Sequence, residues 1–392
     1  MRNQTAKRWS RRLINLACTC VVALVVTACG ASEPKMVNGL RDPLVFSTYG
    51  AGTATYADLA AVSSAVSKDT GARLRIITSD TAIGRVGAIR SGASQMGRLG
   101  DEYIFGFEGI NEFANKDWGP QSTRVVWAPL SPHSMLTRKK DGIKTPADLK
   151  GKKVPLVSAN PSLNQKIAAY LAYGGLTTED VEFVKVSYSE QPEALKQGKI
   201  DTLYYQVYGP TLFELESQVD LSWIELDASD AEALERVQQI APSVTVDGFE
   251  NAPALAKGES INGFVYTLPI VAYADTSEDE IYHLVSSMAK TFSTYENATI
   301  NTPRWNPEKV EDMPSEAPYH PGLVRWLKEN GRWSEDAQRK QDELLEREKA
   351  LQKGWEEFIE DAPAKDSLLN EWLDYKKAHG LSKDSEERAF RK

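Results

Sequence analysis

From Leu44 onward the hydrophobic period of the chain switches repeatedly between two values, and this limits the folds open to it. Leu44-Val-Phe-Ser-Thr48 is a short run of strand type, Thr55–Ser67 repeats at helical spacing, Arg73–Thr78 is again a strand and Thr81–Ser91 again a helix. Strand and helix in alternation call for a mostly parallel sheet covered by helices, because parallel neighbours need a crossover. After a less regular segment at 100–123, strands at Thr123–Ala128 and Ser134–Arg138 lead to Lys150–Val157, where the alternation starts over. Helix Asn164–Tyr173, strand Val181–Val186, helix Gln191–Lys196, strand Ile200–Gln206 and helix Thr211–Leu215 follow. Phe264–Ala272 reads as one long strand, and helices Glu278–Lys290 and Pro321–Asn330 come after it. Two α/β lobes, the second inserted into the first, would meet at a cleft lined by the carboxyl ends of strands.

All three cysteines, Cys18, Cys20 and Cys29, fall within the first 29 residues, so the rest of the chain holds neither a disulfide framework nor a cysteine-liganded metal. Arg2, Lys7, Arg8, Arg11 and Arg12 form a basic n-region before an apolar run, Leu13–Val26, which is too short for a bilayer span and suits a signal-peptide core. Val26-Thr27-Ala28-Cys29 closes that run and resembles a bacterial lipobox, whose cysteine is diacylated and becomes the mature N-terminus. Acyl chains on Cys29 would hold the protein to a membrane surface. An ordinary signal peptide cut after Ala28, or an uncleaved anchor, is the other reading.

The expected layout is a lipoprotein signal peptide at 1–28, a tether at 29–40, a first lobe from 41–138 and 265–335, a second lobe at 139–264 and a helical extension at 336–392. In the extension, QRKQDELLEREKALQKGWEEFIEDA carries a thin apolar stripe of Leu344, Leu345, Leu351, Trp355 and Phe358. It fits a helix packed back on the lobes, or a coiled-coil surface for a partner.

With formal charge −9, and −14 once the leader is gone, no nucleic-acid footprint is expected. A local pocket of amides or cations can still take an anion. The four histidines, His133, His283, His320 and His379, lie far apart in the sequence, so no metal site is expected. No cofactor is expected either. Gly92-Ala-Ser94-Gln-Met96 lacks the last glycine of a nucleophile elbow. Gly50-Ala-Gly52-Thr-Ala-Thr55 has threonine where a dinucleotide fingerprint needs its third glycine. No catalytic residue is assigned.

Small residues and free amides at a strand-to-helix turn nevertheless suit a negatively charged ligand. Three such loops recur. Gly50, Gly52, Thr53 and Tyr56 form the first; Thr78, Thr81 and Ala82 the second, with Arg85 one turn into the helix; Asn160, Ser162 and Asn164 the third. Facing one another, they would supply amide and hydroxyl donors to one carboxylate, and Arg85 could grip it bidentately or be a plain surface arginine. Tyr205 and Tyr208, at a fourth junction, offer flat apolar faces with polar tips.

In this order the motifs resemble the TAXI family, extracytoplasmic solute receptors of tripartite ATP-independent periplasmic (TRAP) transporters. Residues 50–56, GAGTATY, resemble its glycine-rich loop, and Asp148-Leu-Lys-Gly-Lys-Lys-Val154 its second-lobe opening. Ser158–Asn164, Ala194–Asp201, and His320-Pro-Gly322 with Glu329-Asn-Gly331 resemble further family stretches. Thr81-Ala82, Arg85 and Asn160-Pro161-Ser162 depart from the usual pattern, so glutamate specificity does not transfer. The resemblance implies an α/β, two-lobed type II periplasmic binding protein fold, here with a C-terminal helical extension. It implies a receptor, not an enzyme, that captures a small organic acid and delivers it to a TRAP permease. Two readings stay beside it: the receptor of an ABC importer for a sulfonate or pyrimidine precursor, and a periplasmic dehydratase-like enzyme with Asp80, Asp101 or Glu190 as base. A tethered sensor signalling through the extension is a third.

Overall fold

The computed structural model describes residues 34–363 and 366–383. The signal peptide, Cys29 and the proposed lipid lie outside the described residues. A short hairpin, β1 (Met36–Val37) and β2 (Leu40–Arg41), precedes the first lobe. There β3 (Leu44–Thr48), α1 (Ala54–Thr70), β4 (Leu74–Thr78), α2 (Ala82–Arg90), β5 (Met96–Arg98), α3 (Glu102–Glu108) and β6 (Thr123–Trp127) follow in turn. Threonine caps start the two long helices: the Thr53 hydroxyl accepts from Tyr56 N and the Thr81 hydroxyl from Gly84 N. Gly71, at φ 77°, ends α1 in the left-handed conformation that glycine adopts without strain.

The chain then leaves for a second sheet built from β7 (Leu130–Arg138), β10 (Thr202–Gln206), β11 (Leu221–Trp223), β12 (Thr245–Glu250) and β13 (Ser260–Thr267). Beside it lie a parallel pair, β8 (Lys153–Val157) and β9 (Glu182–Val186), and helices α4 (Pro161–Tyr173), α5 (Gln191–Lys196), α6 (Pro210–Glu216) and α7 (Ala231–Ile240). The return strand, β14 (Ile270–Tyr273), inserts antiparallel between β5 and β6, giving the first sheet the order β4-β3-β5-β14-β6. One α/β sheet, a second reached by two crossings and a return strand in the first make a mixed α/β architecture of two sheets.

Three sequence expectations change. The mostly parallel sheet is confined to β3 with its neighbours β4 and β5 and to the β8–β9 pair, while every pairing of the second sheet is antiparallel. Phe264–Ala272 is not one strand: Pro269 has no N–H to donate, and the run divides into β13 in one sheet and β14 in the other. The two crossings run side by side there, with Leu268 N donating to Pro129 O at 3.1 Å. The irregular segment 100–123 contains α3, too short at seven residues to show a period before Gly109 ends it.

Helices α8 (Glu278–Tyr295), α9 (Pro321–Glu329), α10 (Glu335–Glu360) and α11 (Leu369–Ala378) complete the chain. The last two form the extension. Leu351, Trp355, Trp372 and Leu373 share one core with Phe46, Val126 and Leu284, so these helices pack back on the first lobe. The second lobe has its own core around Leu136, Ile167, Leu203 and Phe264.

Candidate functional site

The strand-to-helix loops of the two lobes meet along one seam. Ala82 N donates to Ala159 O at 3.0 Å, and Asp101 N donates to the Ser162 hydroxyl at 3.0 Å. The Thr211 hydroxyl donates to Gly52 O at 2.5 Å, and the Ser189 hydroxyl to Asp80. Gly52, Thr81 and Ser162 thus lie along a single junction.

Arg85 sits at its centre and is fully buried, which excludes the surface-arginine reading. Its Nε donates to Glu102 Oε1 at 2.7 Å and its Nη1 to Ser79 O at 2.9 Å, while its guanidinium carbon lies 3.7 Å from the centre of the Tyr49 ring. Stacking and ion pairing together offset the cost of burying the charge. Arg85 Nη2, Glu102 Oε2 and Asn160 Nδ2 remain buried without a hydrogen-bond partner. Asn160 lies beside the Tyr49 hydroxyl without reaching hydrogen-bond geometry. Two donors and one acceptor are therefore open in one small region.

Gly100 leaves room for other polar atoms to approach Glu102 Oε2. A Cβ there would lie 2.7 Å from the Tyr49 hydroxyl, 2.8 Å from Glu102 Oε2 and 2.9 Å from the Ser162 hydroxyl. Only glycine lets polar atoms from the residue after β3, from α3 and from α4 converge on that point.

Next to it a second ion pair crosses the seam, from Lys166 on α4 to Asp101 at the head of α3, with both side chains at most 5% exposed. Burial pushes the Asp101 carboxyl up, and the Lys166 charge opposes that rise. Lys166 also lies 5.1 Å from the Tyr266 ring centre. Behind them His133 stacks on Tyr266 at 4.5 Å, and burial lowers its pKa to about 3, so it is neutral at ordinary pH. Burial likewise raises the Tyr49, Tyr188 and Tyr266 hydroxyls above their ordinary value.

The other expected residues divide by what their atoms already do. Thr53 is occupied as a cap, accepting from Tyr56 N and donating to Gly50 O. Asn164 is turned away, its amide tying α4 to both backbone groups of Val157. Thr78 is exposed on edge strand β4, and Gly50 and Tyr56 are half-buried. Tyr205 stacks on Tyr188 at 4.2 Å, and Tyr188 meets the Tyr49 edge at 5.3 Å, so a tyrosine wall backs the seam. The Tyr208 hydroxyl faces Arg304 and Glu250 instead, apart from Arg85. Sequence reasoning missed Tyr49, Gly100, Glu102 and Lys166 as site residues. Tyr49 adjoins the Gly50 loop and Lys166 stands one turn after Ser162, which were usable signals; nothing in the sequence pairs Glu102 with Arg85.

A groove of about 670 Å³ opens at the opposite, amino end of the first-lobe strands, lined by Arg41, Arg90, Gln95, Ser122, Asp275 and Gln352. Its arginines are committed, Arg41 to Glu280 and Arg90 over Trp118, and no second-lobe residue reaches it. The seam, with open polar atoms and contributions from both lobes, is the better site.

Residues 46–331, both lobes but not the extension, match the NMT1-like family. The chain belongs to that family. This member also resembles solved structures at low identity. The alkanesulfonate-binding protein SsuA of Xanthomonas axonopodis pv. citri, bound to MOPS, is 13% identical over 85% of this chain and 98% of that one, with a TM-score of 0.44. The aliphatic sulphonate-binding SsuA of Escherichia coli is 13% identical over 76% and 91%, at 0.41. An ancestral arginine-binding protein bound to arginine is 15% identical over 68% and 99%, at 0.42.

Proposed function

We propose that this NMT1-like protein is an extracytoplasmic solute receptor that holds a small carboxylate-bearing molecule between its lobes. The observation that carries the reading is the set of unpartnered buried atoms at the seam, Arg85 Nη2, Asn160 Nδ2 and Glu102 Oε2. A buried polar atom left unpaired costs roughly 1–3 kcal/mol, and a solute that pairs it recovers that cost. Two donors from opposite lobes suit one carboxylate. Because Glu102 already balances Arg85, the site suits a single carboxylate better than a multiply charged headgroup. Binding without turnover fits the state of the acids: Asp101 is paired with Lys166, Asp80 with Ser189, and Glu190 accepts from Ser187 N of its own loop.

The leader and lipobox support a receptor on the periplasmic face of the envelope, anchored through Cys29, and the resemblance to TAXI motifs supports a TRAP permease as its membrane partner. Mass spectrometry of the membrane fraction should find a diacylated Cys29. Uptake should stop when the ion gradient collapses and persist when ATP is depleted; the reverse would assign the chain to an ABC importer.

The direct test is a thermal-shift screen of carboxylates, amino acids and sulfonates. A bound compound at 100 times its dissociation constant adds about 2.7 kcal/mol of stability. Arg85→Ala should weaken the best carboxylate by roughly tenfold to a hundredfold, the loss of one charge-assisted contact. Unchanged affinity, or conversion of the compound during incubation, would end this reading.

A further inference from the structure

The groove of about 670 Å³ at the amino ends of the first-lobe strands has no part in holding a solute between the lobes, yet it is built from polar and charged residues. Arg90, the last residue of α2, stands over Trp118, its guanidinium carbon 4.4 Å from the ring centre. Stacking holds that guanidinium in place and uses none of its N–H donors. Arg41 commits Nε and Nη2 to Glu280, at 2.9 Å each, and keeps Nη1 open. Ser94 also lines the groove, and its hydroxyl is buried without a hydrogen-bond partner. Asp275, exposed on the turn after β14, completes the charged lining.

Arg90 and Asp275 both act on the Tyr273 hydroxyl, which burial raises: Arg90 opposes the rise and Asp275 adds to it. Cation and acid thus stand within electrostatic reach of one side chain, and among the described residues neither has an ion-pair partner. Glu280 balances Arg41 and Asp275 balances Arg90, so the groove is neutral overall. A purely anionic guest gains little there, and the negative body of the protein repels a strongly anionic surface. A guest with one anionic and one cationic group matches both charges at once.

The described chain also starts at this end of the lobe. Asp42 N donates to Lys35 O at 2.7 Å, next to Arg41, and Cys29 stands six residues before Lys35. Six residues of chain span at most about 20 Å. A lipid on Cys29 would therefore be tied to the end that carries the groove and not to the seam.

We propose that this groove receives a phospholipid headgroup of the phosphoethanolamine kind, its phosphodiester against Arg90 and Arg41 Nη1 and its primary ammonium against Asp275. The planar fork of arginine suits a pair of phosphate oxygens, and a carboxylate suits the N–H donors of an ammonium. Seated this way, the receptor presents its seam away from the lipid surface. The proposal takes the source of the lipid from the anchoring reading and is independent of the carboxylate reading.

The test begins with the soluble headgroup, glycerophosphoethanolamine, titrated into the full chain, with binding read as slowed hydrogen exchange over residues 89–95 and 273–276. Saturable binding that weakens at least tenfold in both Arg90→Gln and Asp275→Asn supports the site. No binding, or equal affinity for glycerophosphoglycerol, which lacks the ammonium, overturns it. Both side chains are exposed, so both variants should keep the parent melting temperature, and the comparison of headgroups decides the case without them. The acylated chain would then be placed on vesicles of phosphatidylcholine, whose quaternary nitrogen has no N–H, with and without phosphatidylethanolamine. Slower exchange of the same segments only where phosphatidylethanolamine is present supports the lipid. Equal exchange on both overturns it, and binding in solution would then assign the groove to a free phosphoamine. Neither arm contains a carboxylate solute, so failure here leaves the carboxylate reading standing, and failure of the thermal-shift screen leaves the groove standing.

Discussion

The extension's contact with the first lobe and the seam between the lobes are both buried and both rich in charge, yet they differ in how completely polar atoms are matched. At the extension, Glu108 is surrounded by Arg347, Lys376 and Lys383, Arg124 pairs with Glu348, and Gln352 donates to Ser122. At the seam, Arg85, Glu102 and Asn160 each keep an atom without a partner. An interface meant to stay shut completes its hydrogen bonds; one meant to receive something leaves some open and accepts the cost until the guest arrives.

The largest effect should come from the permanent interface. Trp372 is fully buried against Trp355 at 5.0 Å and Phe358 at 5.4 Å. Trp372→Ala should cost about 3–5 kcal/mol in denaturant unfolding. A loss under about 1 kcal/mol would mean that the extension is loosely attached.

The two ion-pair sites should then answer differently to loss of one partner. Removing one member of a buried pair usually costs about 3–5 kcal/mol, because the other charge stays buried. Glu108→Gln leaves its cations no escape within the first lobe, so the melting temperature should fall. Lys166→Met strands Asp101 only while the lobes are together. That variant should open, with a larger radius of gyration in solution scattering and a smaller drop in melting temperature. If both variants lose stability equally and neither expands, the seam is as permanent as the extension, and the contrast fails.

Acid should weaken both lobes more gently. Burial holds His133 neutral down to about 3 and His320 down to about 4, below the ordinary value near 6.5. The unfolded chain therefore binds the extra protons, and stability falls as pH drops from about 6.5 toward 4, by at most roughly 1.4 kcal/mol per pH unit for each histidine. Denaturant midpoints at pH 7 and pH 5 would measure this. His320 lies in the first lobe and caps α9 through Nδ1, which accepts from Gly322 N. Removing it with His320→Asn should flatten the slope of that lobe and leave the second unchanged.

Much of the scaffold was readable because period is local. The run Leu44–Thr48 and the helix Gln191–Lys196 stand where the pattern put them. The segment from Leu221 to Glu250 went unread: β11 is three residues long, and α7 buries only Ala233 and Val237, too thin a stripe to register. At the site, the three hydroxyl-bearing loops were visible as loops. Their pairing was not, because the Arg85–Glu102 bond joins residues 17 apart and Lys166–Asp101 joins residues 65 apart.

By itself, the sequence determined that this chain alternates strands and helices into an α/β scaffold and keeps cysteine out of everything after residue 29. These are nearest-neighbour matters, settled within a turn or a pleat. Only the tertiary structure decided that Phe264–Ala272 would be divided between two sheets, that Gly100 would clear space for three polar atoms, and that the charged tail would close over Glu108. Those outcomes depend on which distant charges and surfaces are brought into the same low-dielectric space, where an unmatched partner is costly and a matched one is held.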